Sequence, residues 1–346
     1  MATRKDRAFL GRSVLLSLVL GALAFVPSAP LSAPVLEAQG RPDLEAQHQR
    51  LLPLFELAGV VFTDADETTG RFVVGVLDRD VEGLVRARLR VLGIANQSVD
   101  VVETDAIFQL ATLRDRSDNI IGGIQIRFSQ YLCSLGFIAS RNGEEGFVTA
   151  SHCSDKQGAV DGTTYYQPLD QVENDRIGTE IVDPPYVRNS AGCPKGRKCR
   201  QSDANFSRSE GGRPFSLGAI ARTEGLGSLV IAGTFTINGE AVATVGQMVD
   251  KTGRTTGWTR GRVSNTCVNT GVSGTSIVLL CQTFVESTDG GAIVAGGDSG
   301  SPVHASEGGD NVKLLGGLWG GNQDGTLFVY SPIANIEAEL GALTTH

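Results

Sequence analysis

No cysteine occurs before Cys133, methionine and tryptophan occur twice each, and only four histidines are spread over 346 residues. With so few imidazoles and no Cys-x2-Cys spacing, a zinc site is disfavoured. Basic blocks are missing outside the extreme N-terminus and the formal net charge is -8, which argues against nucleic acid as a partner. No repeat at the period of a solenoid or propeller is present, which argues against both architectures. Only one long uncharged apolar run exists, residues 14–26, and it is too short to span a bilayer comfortably. Aromatics are scarce at 6%, whereas glycine is abundant at 44 residues. Gly-rich, turn-rich chains of this kind fold as all-β structures with many short strands.

The single apolar run follows Arg4, Lys5, Arg7 and Arg12 and precedes the small residues Ser28, Ala29, Ser32 and Ala33. That order reads as a signal peptide over residues 1–33, with an uncleaved N-terminal anchor as the competing reading. Export places the chain in an oxidising compartment, where cysteines pair. The six cysteines fall into near neighbours, which suggests Cys133–Cys153, Cys193–Cys199 and Cys267–Cys281.

Residues 34–50 are polar and read as a linker or short helix. Residues 51–113 read as a small α+β module. Strands are expected over residues 59–62, over residues 71–76 and over residues 99–103. Asp80 is the expected N-cap of a helix in which Val81, Leu84, Val85, Leu89 and Leu92 recur at helical spacing before Gly93. From residue 120 onward short β-branched runs alternate with Gly, Ser, Thr and Asn turns, as at residues 136–139, 146–149, 234–237 and 276–280. Near the end Ile333, Ile336 and Leu340 share one helical face.

Two segments carry chemistry. In Phe147-Val148-Thr149-Ala150-Ser151-His152-Cys153 a strand leads into a turn that presents a histidine beside a cysteine. In Gly296-Gly297-Asp298-Ser299-Gly300-Ser301-Pro302 glycines flank a serine, permitting a sharp turn and close approach of a substrate backbone. A serine hydroxyl is a poor nucleophile unless a base lies within hydrogen-bond reach and a carboxylate orients that base. The same turn would aim the amides of Gly297 and Ser299 at one point, where they would hold the oxyanion formed on attack at a carbonyl.

In this order, on an exported β chain with paired cysteines, the two segments resemble the chymotrypsin-fold serine proteases, with Thr-Ala-x-His-Cys before Gly-Asp-Ser-Gly. The order His, Asp, Ser fits that family and not subtilisins or α/β-hydrolases. Ile120-Ile121-Gly122-Gly123, Cys133-Ser134-Leu135-Gly136-Phe137, Lys251-Thr252-Gly253-Arg254-Thr255-Thr256-Gly257-Trp258 and Gly320-Gly321-Asn322 are similar to the secreted bacterial streptogrisin and α-lytic branch. The resemblance covers about residues 120–341. It implies two six-stranded antiparallel β-barrels with a C-terminal helix over residues 120–346. Residues 34–119 would form a pro-region with the small α+β module, and processing would fall near Asn119–Ile120.

The resemblance assigns His152 as general base, since His48 lies in the pro-region, His346 ends the chain and His304 belongs to a strand after the serine. Asp203 is the expected orienting carboxylate, although Asn205 departs from the small-then-apolar pattern that follows it in the family. Asp170, Asp175 and Asp183 lie in the same interval and are expected to be solvated turn residues. Asp298 beside the nucleophile needs a partner, and Lys251 matches the basic residue that supplies it in the bacterial branch. A surface lysine is the competing reading. The S1 walls fall at residues 291–296 and 318–322, with Ile293, Ala295, Leu318, Trp319, Gly320 and Gly321 as substrate-binding residues. Ile293 stands where trypsin-like members carry an aspartate, so a small or apolar P1 side chain is expected; Asp289 and Asp324 flank the walls. Trp319 stands where the branch has a serine that touches the triad carboxylate, and Asp250 and Ala295 stand where it has cysteines. The basic loop 194–198 is expected to be solvated.

The expected function is a secreted serine endopeptidase zymogen. It acts on protein or peptide as a monomer, without metal or organic cofactor and without stable membrane association once the signal is removed. A catalytically inactive homologue serving as a binding module is the main alternative. A periplasmic quality-control protease and an esterase of another fold fit the motifs less well.

Overall fold

The computed structural model describes residues 41–107, 109–190 and 192–346, with side chains from residue 44 onward. The expected signal peptide, residues 1–33, lies outside the described residues. Two compact units divide between Phe108 and Gln109, upstream of the boundary expected at residues 119 and 120.

The first unit contains α1 (Arg41–His48), β1 (Val60–Asp66), β2 (Arg71–Val76), α2 (Glu82–Val91) and β3 (Val99–Glu103). Strand β2 is central, antiparallel to β1 and parallel to β3. Val85 and Leu89 of α2 pack with Phe72, Val74 and Val76 of β2 in one small core. The helix ends at Gly93, whose φ of +66° suits glycine. Asp80 is not its cap. Asp78 accepts a hydrogen bond from the Asp80 amide at 2.8 Å and caps a short 3-10 turn that feeds the helix.

The second unit is β throughout except for α3. Its first half contains β4 (Ile120–Gly122), β5 (Gln125–Phe128), β6 (Tyr131–Ser134), β7 (Phe137–Arg141), β8 (Glu144–Thr149), β9 (Thr164–Tyr166), β10 (Arg176–Val182), β11 (Val187–Arg188), β12 (Lys198–Arg200) and β13 (Asn205–Ser209). Strands β6 and β7 are two halves of one bent strand. Gly136 stands in the bend because a Cβ there would meet the Val148 carbonyl oxygen at 2.5 Å. Counting them once, β5, β6/β7, β8, β13, β10 and β9 pair antiparallel in succession and return to β5, a closed six-stranded ring. Ile124, Ile126, Ile138, Phe147, Tyr165 and Ile177 fill it.

The second half contains β14 (Phe215–Thr223), β15 (Ile231–Glu240), β16 (Met248–Gly253), β17 (Gly257–Gly271), β18 (Ile277–Glu286), β19 (Pro302–Gly308), β20 (Asn311–Gly321), β21 (Leu327–Pro332), α3 (Ile333–Leu340) and β22 (Leu343–Thr344). Here β16, β17, β18, β21, β20 and β19 close a second antiparallel ring of six. Val249, Val263, Val285, Val303, Leu315 and Phe328 form its core. In this unit, among the described residues, parallel pairs occur only where a strand outside a ring joins: β4 on β14, β12 on β18 and β15 on β20. The helix α3 buries Ile333, Ile336 and Leu340 on one face against Phe137, Phe206 and Leu314. All three expected disulfides are formed. Among the described residues no helix is long and apolar enough to cross a membrane.

Residues 111–119 belong to this unit by packing. Leu113 is fully buried in the first barrel's core, its amide donating to Leu229 at 2.9 Å and its carbonyl accepting from Gln125 at 2.7 Å.

Candidate active site

His152 sits in the 3-10 turn after β8, where the Cys133–Cys153 disulfide ties the next residue to β6. Asp203 precedes β13, the neighbour of β8 in the first ring. The pair meets doubly. The His152 Nδ1 and Asp203 Oδ2 atoms are 2.6 Å apart, and the His152 amide donates to Oδ1 at 3.1 Å. Asp203 is buried, while about a third of the His152 side chain remains exposed. Burial pulls the His152 pKa down, but the Asp203 charge and hydrogen bond outweigh it and leave it above the ordinary histidine value. Burial pushes Asp203 up, and the charge and hydrogen bond of His152, then Arg200 and Tyr186, hold it below the usual aspartate value.

Trp319 makes no hydrogen bond to Asp203 among the described residues, and other groups do so. Tyr186 Oη donates to Asp203 Oδ1 at 3.0 Å and Gln157 Nε2 at 3.4 Å. The Asp203 amide donates to Ser331 Oγ, which donates to Gln282 Oε1; Trp319 Nε1 donates to that same oxygen. The departure at Asn205 has a use as well. Its buried amide donates to Tyr165 Oη at 2.8 Å and to the Ala150 carbonyl at 3.3 Å, two residues before His152.

Ser299 lies in the turn between the 291–296 segment and β19. Gly297 and Gly300 have φ of +97° and +91°, and a Cβ on Gly300 would meet the Ser134 carbonyl oxygen at 2.2 Å. The turn is pinned from the first barrel: the Ser134 amide donates to the Ser299 carbonyl at 2.8 Å and Ser134 Oγ to the Gly297 carbonyl at 2.9 Å. Cys153 Sγ lies 3.8 Å from the Ser299 carbonyl oxygen, so this turn abuts the residue next to His152. No direct hydrogen bond joins the His152 ring to the Ser299 hydroxyl among the described residues. The amides of Gly297 and Ser299 likewise find no acceptor there.

Asp298 is fully buried. Its carboxylate accepts from the amides of Thr255, Thr256 and Ala295 and from Thr256 Oγ1. Lys251 Nζ stands 3.4 Å from Asp298 Oδ2, fully buried, with Thr256 Oγ1 and the Gly257 carbonyl as further partners. Burial lowers the Lys251 pKa to about 8 against the opposing pull of Asp298. A surface position for this lysine is thereby ruled out.

A cavity of about 450 Å³ adjoins Ser299, with Ala295, Leu318, Gly320 and Gly321 in its walls beside Val294. Ile293 does not line it and packs in the second barrel's core. Trp319 lines a neighbouring cavity of about 530 Å³ that reaches His152 and Asp203. Asp324, expected to flank the walls, is an exposed member of the smaller cavity's lining. Two aspartates expected in solvent are buried. Asp175 accepts from the Gln171 and Val172 amides, and Asp183 accepts from Ser151 Oγ and the Gly158 amide, each at 2.8 Å for the latter pair. Sequence reasoning missed Tyr186, Gln157, Gln282 and Ser331, because each reaches Asp203 or its neighbours only through tertiary contact.

Two six-stranded antiparallel barrels in succession make up the chymotrypsin fold. No family model matches the chain. Its structure is similar to those of bacterial serine proteases of that fold. Thermobifida fusca Protease A is 25% identical with a TM-score of 0.47, covering 66% of this chain and 100% of that one. The Nocardiopsis protease is 23% identical with a TM-score of 0.47 over the same shares. An α-lytic protease homologue, N4, is 20% identical with a TM-score of 0.46, again over 66% and 100%.

Proposed function

We propose that the protein is a secreted serine endopeptidase made as a zymogen. Ser299 attacks the scissile carbonyl, and His152 takes its proton and later returns it to the leaving amine. Asp203 orients the imidazole and stabilises its cationic form, while the Gly297 and Ser299 amides receive the oxyanion. Water then hydrolyses the acyl-enzyme. The observation that carries this reading is the doubly bonded His152–Asp203 pair next to a serine turn whose two amides have no acceptor among the described residues. Three disulfides accord with an oxidising, extracellular setting. The apolar wall of the cavity beside Ser299 favours a small or apolar P1 side chain. Hydrolysis of casein and of a P1-varied peptide library by the purified chain tests both points. Activity is expected in the wild type and absent in Ser299→Ala. A wild type that neither cleaves nor reacts with a fluorophosphonate probe would favour the inactive binding module instead. A library dominated by Arg or Lys would make Asp324, not the apolar wall, the selector.

A further inference from the structure

One buried cation links the backbone beside Asp203 to the residue before His152 without bonding to the imidazole or the carboxylate of that pair. Arg200 Nη1 donates to Asp183 Oδ1 at 2.6 Å, and Asp183 in turn accepts from Ser151 Oγ, on the residue before His152. Arg200 Nη2 donates to the carbonyl of Ala204, the residue after Asp203. Its guanidinium also lies over the Tyr186 ring, 5.4 Å from the centroid, and Tyr186 donates to Asp203. The third edge, Nε, donates to Glu339 Oε2 at 2.7 Å, on the last turn of α3. Glu339 meanwhile accepts from the amides of Gln201 at 2.6 Å and Ser202 at 3.0 Å and from Ser202 Oγ at 2.6 Å. These are the two residues that lead into Asp203. The Arg200 side chain is 1% exposed, and the Cys193–Cys199 disulfide anchors its neighbour.

We propose that Arg200, gripped by Glu339 from the C-terminal helix, is a positioning residue that sets the geometry and the proton affinity of the His152–Asp203 pair. This rests on the protease reading above. A planar guanidinium suits the task because its fixed fork reaches three directions at once, which a lysine ammonium cannot reproduce. The charged and titratable groups facing it are Asp183, Glu339 and Tyr186. Beyond Tyr186 stands Asp203, whose pKa the Arg200 charge lowers, and Lys198 Nζ also lies over the Tyr186 ring, 5.3 Å from its centroid.

The test compares pH profiles of kcat for wild type, Arg200→Met, Arg200→Lys and Glu339→Gln on a peptide ester. Arg200→Met removes a positive charge, so the imidazolium is favoured and the acid limb moves to higher pH. Glu339→Gln removes a negative charge at the partly exposed end of the network, so the limb moves to lower pH. Displacement of the pair lowers kcat in Arg200→Met by about 10- to 100-fold at little cost in KM. Arg200→Lys recovers the position of the acid limb but not the full kcat. If Arg200→Met does not fold, Glu339→Gln alone decides by the sign of its shift. Active variants whose limbs stay at the wild-type pH, or shift in one common direction, overturn the proposal. Failure of the protease reading looks different, because the wild type itself would then be inert.

Discussion

Asp203 accepts four hydrogen bonds, from the His152 amide and ring, Tyr186 and Gln157. Such a carboxylate stays ionised, fixes the tautomer that leaves Nε2 free to accept, and raises the imidazole's proton affinity. Asp203→Asn is expected to lower kcat about 10⁴-fold, because the amide favours the wrong tautomer. As the proposed base, His152 would act only in its neutral form. With its pKa raised, the acid limb of kcat/KM is expected above the ordinary histidine value of about 6.5. A pH–rate series on both proteins checks this, and a wild-type limb below that value would contradict the assignment. A second histidine is expected to contribute to the pH dependence of stability. His304 on β19 is fully buried with its ring centroid 4.9 Å from that of Phe235. Burial pushes its pKa down to about 4, with Asp250 opposing and Arg260 adding to the shift. Unfolded, it titrates near about 6.5. Between those values the unfolded chain binds more protons, so stability falls as pH drops, by about 3 kcal/mol across the window. Urea midpoints measured over that range are expected to fall less steeply in His304→Gln; identical slopes would exclude His304 as the source.

At the scale of elements, β16 shows what pattern reading misses. Val249 through Gly253 are all buried, so the strand has no alternation, and it carries a charged lysine into the interior. The lysine is tolerated because Asp298 sits in the turn that leads into β19, and β19 pairs directly with β16. Lys251→Met leaves the Asp298 carboxylate without its cation. A loss of about 3–5 kcal/mol is expected, with weakened activity through the distorted Gly297–Ser299 turn. Denaturant midpoints together with kcat read this, and an unaltered pair of values would refute the role. Other elements were legible. The α3 face, the strands at β7, β8, β15 and β18 and the helix stop at Gly93 follow from periodicity and from glycine's freedom at positive φ. The helix start differs from the expectation at Asp80 because the backbone path sets Asp78 as the cap of a short 3-10 turn, which then runs into α2 with no side-chain cap of its own.

At the scale of the whole molecule, the two ring closures bring residues far apart in sequence to one place. The junction before them matters for processing. Ile120 is fully buried with its amide on the Pro214 carbonyl, and Asp298 is already satisfied by Lys251. A cut at Asn119–Ile120 would bury a new ammonium without a carboxylate and release Leu113 from the core, both unfavourable. The mature N-terminus is therefore expected upstream of Ala111, in the exposed stretch around Ile107. Sequencing the N-terminus of secreted material checks this, and a start at Ile120 would restore the expectation from sequence resemblance.

The His152 and Ser299 segments stand out in the sequence because the chemistry proposed for them demands particular residues at fixed local spacing: a cysteine beside the histidine, glycines around the serine. The β class and the disulfide pairs were readable for a similar reason, since period-2 runs, turns and near-neighbour cysteines are all local signals. The partners of Asp203, the burial of Asp183 and Arg200, the grip of Glu339 and the membership of residues 111–119 were decided by tertiary structure alone. Each depends on where closed barrels place distant side chains, and hydrogen bonds between such residues leave no periodicity in the chain.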